Sequence, residues 1–585
     1  MKYQVKKDLG AFLRRGGVMF RVWAPFAKNV MVVENFYDVS GRGMENEGDG
    51  YWSLFIQGAV AGYTYQYLID TGSELLRRND PRARVITASE NGMSVVAAND
   101  FDWGDDLYMP LPREQHVFYE LHIGTFNRPD ASTPGTFYDA IEKLEYLEKL
   151  GVTMIELMPV TSMAVSHGWG YATDHIFAVE AAYGGRHGLM EFVKAAHGRG
   201  IGVMADLVYN HFFSGSNLWQ FDGWSENGRG GIYFYNDERG DTPWGGRPDY
   251  GRAEVRQFLL DNVAMWLNEY RLDGLRLDST VYMRNTAGAN NDPVHDIADA
   301  WGLLGKMSSL AHKINPGALM VAEDCSVNEY VTKPVKDGGC GFDAQWGLNF
   351  PHSVRSLSGL PVPFPVNFYD ELQSSYNGDA FQKILFCDSH DTAANGQVRL
   401  NEAVTPGNAE SERARQYTLL ASAVTLTAPG IPMLMQGQEF MQDGDFSDWK
   451  ELEWAKTEQF AGIVMAHEHL VALRRNSHGN TAGLTGPNIN IFHRDDTNTV
   501  LAYHRWQRGG SHDDVYVIAN FGKAEFDQYT ITVPIAGTWH VRFNSSWHGY
   551  SSDFAEVQVE AVTTDEHSVL TLPLSPLSVL ILSQD

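Results

Sequence analysis

Carboxylates close several short apolar runs in this chain. GLRLD ends on Asp278, ALMVAED carries Glu323, KILFCDSHD ends on Asp391, and IGVMADLVYNH contributes Asp206 and His211. Retaining cleavage of a glycosidic bond needs a nucleophilic carboxylate and an acid/base carboxyl about 5–5.5 Å apart. Arg276 lies two residues before Asp278, on the same face of a strand. A guanidinium there would keep Asp278 ionised and oriented, as a nucleophile requires. The run ALMVA ahead of Glu323 offers an apolar wall, which raises a carboxyl pKa and suits a general acid. Asp391, beside His390, would grip sugar hydroxyls and stabilise an oxocarbenium-like charge. For any one of these acids the plain alternative is a strand-end carboxylate capping the next helix. Three of them at the ends of apolar runs favour chemistry.

Such distant residues meet if each run is a parallel strand whose C-terminal end opens on one common face, which is the geometry of a (β/α)₈ barrel. The pattern from residue 114 onward fits. HVFYELHIGTF, TMIELMPV, IGVMADLVYNH, GLRLDST, ALMVAED, FDAQW, KILFCDSHD and IPMLMQGQEF read as eight strands. Helical runs such as YDAIEKLEYLEKLG, GLMEFVKAAHGRG, AEVRQFLLDNVAMWLNEY and IADAWGLLGKMSSLAHKI stand between them. Before residue 113, VMFRVWAP, NVMVVEN, GYWSLFI and YTYQYLID alternate at period two between Gly, Asp and Asn turns, the pattern of a β-sandwich. After residue 477 the chain is β-rich again, from NINIFHR to SVLILS. The expected architecture is α/β: a TIM (β/α)₈ barrel over 114–476, an N-terminal immunoglobulin-like β-sandwich over 1–113 and a C-terminal all-β sandwich over 477–585. One connection, 212–250, is long and rich in aromatics, and a loop of that length in a barrel is usually functional.

Composition narrows the partners. The formal charge of −28 argues against nucleic acid and anionic membranes. The charged N-terminal run MKYQVKKDLGAFLRRGG has no apolar core of signal-peptide length, and no stretch reaches membrane-span length. Three cysteines, Cys325, Cys340 and Cys387, suit a reducing compartment, so the cytoplasm is expected. Cys325 and Cys387 lie near the acidic motifs, where a catalytic thiol and ordinary packing are the two readings, packing the simpler. No G-x-G-x-x-G between a strand and a helix and no G-x-x-x-x-G-K-[ST] occurs, which removes nucleotide-using barrels. The sequence does not specify an oligomeric state.

The runs Asp206-Leu-Val-Tyr-Asn-His211, Gly274-Leu-Arg-Leu-Asp278, Val321-Ala-Glu323-Asp and Ser389-His-Asp391 resemble the four short motifs of the α-amylase family of glycoside hydrolases, family 13. The resemblance covers nearly the whole chain. It implies that Asp278 is the nucleophile, Glu323 the acid/base and Asp391 the transition-state stabiliser. Asp206, His211, Arg276 and His390 would serve the central subsite, and Tyr171 in GWGYATDH, with Trp169 beside it, the stacking platform. Trp219 and Trp224, with Phe221 and Trp244, lie in the long loop and offer further sugar platforms; a small loop core is their alternative. Trp23, Tyr51 and Trp52 are the corresponding candidates in the N-terminal sandwich. Asn210 falls where many amylases bind calcium, but no second oxygen cluster accompanies it, so neither metal nor cofactor is expected.

FRVWAPFAKNVMVV, YELHIGTF and WGYATDHIFAVEAAYGG are similar to the glycogen branching enzymes and the maltooligosyltrehalose trehalohydrolases within that family. The chain departs from the branching pattern in three places. Thr392 stands where those enzymes carry an acid, Ser279-Thr280-Val281-Tyr282 replaces small apolar residues, and Asp324 follows the acid/base as in trehalohydrolases. The first reading is a 1,4-α-glucan branching enzyme acting on glycogen or starch. The alternatives are an amylase-type hydrolase, a trehalohydrolase and, in a different class, an inactive glucan-binding protein.

Overall fold

The structure, a computed structural model, describes residues 9–38, 40–88, 92–164, 168–290, 292–359, 367–555 and 557–585. The start of the charged N-terminal run lies outside them. Eight strands close a barrel in chain order: Phe118–Leu121, Met154–Leu157, Gly202–Leu207, Gly274–Leu277, Leu319–Ala322, Ala344–Trp346, Lys383–Leu385 and Ile431–Met435. These are the eight apolar runs of the sequence. All of their residues are buried, and helices cover them outside. Pairing is parallel and in register, with Asp206 opposite Arg276 and Arg276 opposite Val321.

Inter-residue contacts divide the chain into two compact units. One comprises Met1–Pro110, His122–Lys143 and Leu157–Phe342; the other comprises Leu111–Leu121, Leu144–Glu156 and Asp343–Asp585. In the first, a four-stranded and a six-stranded antiparallel sheet form the N-terminal sandwich. Trp23 and Trp52 are 7% and 5% exposed there, and the Trp52 indole donates to the Ala24 carbonyl, so both belong to the core rather than to a sugar platform. Trp52, opposite Val22, faces inward, whereas Trp23, opposite Tyr51 on the other face, is buried edge-on against Tyr233 of the long loop. Tyr51 is half-buried beneath the Arg21 guanidinium.

The sandwich also grips the long loop that follows the third barrel strand. Asn79 and Asn217 exchange two hydrogen bonds, 2.8 and 3.0 Å. Arg78 donates to the carbonyls of Gln220 and Phe221. Phe26 stacks on Trp224, ring centroids 4.6 Å apart, while its backbone N–H donates to Asp222.

Two details differ from the sequence reading. The run YDAIEKLEYLEKLG forms two helices, Phe137–Ile141 and Leu144–Leu150, the first opened by a reciprocal capping box between Thr136 and Asp139. HIGTF does not continue the first strand but forms the short helix Ile123–Phe126.

In the second unit the C-terminal domain pairs a six-stranded with a two-stranded sheet over a core that includes Tyr516, Trp539 and Leu570. His467, on the helix Ala461–Arg474, is fully buried between the Ile463 carbonyl and the Ser422 hydroxyl. Burial pushes its pKa from 6.5 down to about 4. Between those values the unfolded imidazole binds a proton and the folded one does not, so stability falls as pH drops through this window. Each tenfold difference in proton affinity between the two states is worth about 1.4 kcal/mol. The melting temperature is expected to fall from pH 6.5 to 4, and His467→Gln to fall less steeply; equal slopes in the two scans would refute a neutral, buried His467.

Candidate active site

Arg276 is wholly buried. Its Nη1 donates to Asp206 Oδ2 at 2.6 Å and to Asp278 Oδ1 at 3.1 Å, and its Nη2 lies 2.9 Å from Glu323 Oε2. Carboxylates from the third, fourth and fifth strand ends therefore share one guanidinium. Burial alone would loosen its proton, but the charges of Asp206, Glu323 and Asp278 outweigh burial and hold its pKa well above the usual range. In-register strands allow this, because Asp206 and Arg276 are direct neighbours across the ladder.

The second oxygen of Asp278 accepts from Asn210 Nδ2 at 2.6 Å, and that amide also reaches the Asp278 carbonyl. The Asn210 side-chain oxygen lies against His211 Nδ1. The amide is thus engaged at both ends, a poor fit for a calcium ligand. Among the described residues no group of three or more His, Cys, Asp or Glu side chains is arranged to hold a metal.

Glu323 Oε2 also accepts from the Ser279 backbone N–H at 2.9 Å. The expected apolar wall is therefore met on the strand side only; the carboxyl itself faces donors. Ser279 adopts a left-handed backbone to make this contact, φ 41°. Cys325 reaches solvent but turns its sulfur to Glu323 Oε1 at 3.5 Å. Desolvation of the sulfur and the adjacent carboxylates raise the thiol pKa, the opposite of a nucleophilic cysteine. Cys387 is buried, and burial pushes its thiol up to about 12.

Tyr171 donates to Asp206 Oδ2 at 2.7 Å, and its carbonyl faces His211 Nε2 at 3.1 Å. Burial pushes His211 down to about 4, so the ring is neutral near pH 7 and donates to one of its two acceptor neighbours. Asp206 and Arg276, expected among the substrate contacts, are both buried, Asp206 bonded to Tyr171 and Arg276, and Arg276 to Asp278 and Glu323. Trp169 is half-buried two residues before Tyr171.

The long loop has its own small core. Phe221 is wholly buried and Trp219 packs on Phe234. Trp224 carries Phe26 on one face and has Arg252 5.5 Å from its ring centroid. Trp219 and Trp224 thus turn their area into packing, because a loop this long must bury apolar surface to hold a shape. Trp244 differs: it is 49% exposed, 5.5 Å from the His211 ring and edge-on to Tyr282 at 4.9 Å.

In the second unit, His390 Nδ1 lies 2.6 Å from Glu120 Oε1, and its backbone N–H donates to Glu120 Oε2. The other ring nitrogen is 3.6 Å from Asp391 Oδ1, a carboxylate 42% exposed. Glu120 escaped the sequence reading; its signal is an acid inside the apolar strand Phe118–Leu121. Thr392 closes a local turn, its hydroxyl accepting from the Ser389 N–H.

A guanidinium between three acids makes a stability prediction. Arg276→Met leaves buried carboxylates facing one another, a loss of roughly 3–5 kcal/mol near pH 7. Protonation of those acids should shrink the difference at low pH. Urea unfolding at both pH values checks this, and a constant difference would mean that the carboxylates are not held by Arg276.

Residues 121–239 match the α-amylase catalytic domain, 8–83 carbohydrate-binding module 48 (the isoamylase N-terminal domain) and 491–585 the α-amylase C-terminal all-β domain. The chain is 30% identical to a 1,4-α-glucan branching enzyme of Corynebacterium jeikeium, over 92% of this chain and 77% of that protein. It is 31% identical to a malto-oligosyltrehalose trehalohydrolase of Saccharolobus solfataricus, over 76% of this chain and 78% of the relative. A Bacillus subtilis type I pullulanase solved with maltose has the same fold, with a TM-score of 0.76 and 21% identity over 99% of this chain and 85% of that one.

Proposed function

Since the chain belongs to the α-amylase family of glycoside hydrolases and transglycosidases acting on α-1,4-glucans, we propose that it is a retaining 1,4-α-glucan branching enzyme. The reading rests on Asp278 and Glu323 meeting at one buried arginine. Asp278, ionised beside Arg276, attacks the anomeric carbon and forms a glycosyl-enzyme. Glu323 protonates the departing glycosidic oxygen from Oε1, because Oε2 is taken by Arg276 and the Ser279 N–H. Glu323 then takes a proton from the acceptor as the acceptor oxygen displaces Asp278, so two inversions keep the α-configuration. Asp391, oriented with His390 and Glu120, supports the charged sugar ring.

Transfer prevails over hydrolysis when a sugar, not water, fills the acceptor site. Trp244 supports that reading, because it presents an aromatic surface beside His211 and Tyr282. The substrate is an α-glucan chain, and the N-terminal module would hold the polymer. Three free thiols accord with a cytoplasmic location. Among the described residues no helix is long and apolar enough to cross a membrane.

The second reading, an amylase-type or trehalose-releasing hydrolase, is favoured by Thr392 and by Asp324 after the acid/base. Amylose incubation separates branching from amylase-type hydrolysis. New α-1,6 signals in the proton NMR spectrum, with few reducing ends, are expected; reducing maltooligosaccharides alone would establish hydrolysis. Trp244→Ala should lower the ratio of α-1,6 linkages to reducing ends by about tenfold, about 1.4 kcal/mol of acceptor binding. Glu323→Gln should cut turnover of glucan by on the order of 10²–10⁴, and a glycosyl fluoride, whose leaving group needs no proton, should recover the first step. Near-normal glucan activity in that variant would assign the acid to another residue.

A further inference from the structure

Two departures from the branching pattern, Thr280 after the nucleophile and Asp324 after the acid/base, bond to each other in the fold. The helix Thr280–Arg284 starts directly after the left-handed Ser279. Its first residue meets the loop that carries Glu323: the Thr280 N–H donates to the Glu323 carbonyl at 2.8 Å. The Thr280 hydroxyl lies 3.0 Å from both that carbonyl and Asp324 Oδ2, and can donate to one of them at a time. At the other end of the helix, Arg284 clamps Asp324 with two parallel bonds, Nε to Oδ2 at 2.8 Å and Nη2 to Oδ1 at 2.7 Å. The Ser326 hydroxyl lies 2.8 Å from Asp324 Oδ1 and 2.7 Å from Asn290 Oδ1, and can donate to one of them at a time. Both members of the pair are buried, 1% and 0% exposed, and Trp301 lies 5.0 Å from the guanidinium.

A fork-to-fork pair of this kind fixes angle as well as distance. What it fixes here is one short helix against one loop, the helix beginning two residues beyond Asp278, directly after Ser279, the loop beginning at Glu323. The Ser279 N–H that holds Glu323 Oε2 belongs to the joint between them. Loosening the clamp moves that donor, and with it the carboxyl that must deliver a proton along a narrow line. Asp278 has separate supports in Arg276 and Asn210 and would stay in place.

We infer that Arg284 and Asp324 are positioning residues that aim Glu323 at the leaving-group oxygen, an inference that rests on Asp278 as nucleophile and Glu323 as acid/base. Arg284→Lys keeps the charge and loses the fork, and Thr280→Val removes one hydroxyl from the same joint. In each, kcat on maltooligosaccharide is expected to fall, by roughly 10–100-fold for Arg284→Lys, with KM changed by no more than about threefold. The first-turnover burst of fluoride from α-maltosyl fluoride, a glycosylation step whose leaving group needs no protonation, should keep most of its rate. Losses that are equal on both substrates, or no loss on either, would overturn the inference, because a purely structural role does not distinguish leaving groups. Glu323→Gln in the same assay calibrates the split. If it shows the split and Arg284→Lys and Thr280→Val do not, the positioning role falls alone. If Glu323→Gln shows none, the acid/base assignment falls and takes the positioning role with it.

Discussion

One buried guanidinium organises this molecule. A charge withdrawn from water is tolerated only where opposite charges and hydrogen bonds surround it. Arg276 meets that demand by drawing carboxylates from three successive strand ends. The demand runs both ways, since Asp206, Asp278 and Glu323 would repel one another without it. The parallel register brings the three carboxylates to that one guanidinium. A barrel meets the demand well, because its strand ends form a ring from which side chains converge on a shared centre.

Much of this could be read from the sequence, and the reasons are local. Strands buried on both sides must be continuous apolar runs, and a carboxylate at the end of such a run stands out. The pairing of Arg276 with Asp278 follows from the two-residue period of a strand. Glu120 was hidden because its partner His390 lies 270 residues away. Nothing in YELH distinguishes an orienting acid from a buried structural one. The burial of Asp206 was likewise invisible, because it depends on what stands in front of the residue once the strands are side by side.

Aromatic residues were the hardest to read. Trp219, Trp224 and Trp244 share one loop and one composition, yet two are packed and one stands open. The difference lies in which surface each meets, and those surfaces come from other parts of the chain. In the sandwich Trp52 fills core volume on the inward face of its strand, while Trp23, on the other face, is covered by Tyr233 of the long loop. The apolar wall expected at Glu323 was a correct reading of the strand but silent about Ser279, whose N–H arrives through a backbone conformation that few non-glycine residues adopt.

The stack of Phe26 on Trp224, with the Asn79–Asn217 exchange beside it, bears on how this architecture can be recombined. A sandwich that merely trailed from the barrel would be an interchangeable bead, free to be replaced by any module of similar size. Here it supplies one wall of the loop whose far side carries Trp244. A transplanted module would have to bring an aromatic ring at the Phe26 position and leave the backbone N–H and carbonyl of residue 79 open to the Asn217 amide, or the loop would lose its shape with no change in its own sequence. Module and loop are thus a single unit of inheritance, and chimeras should be cut around both.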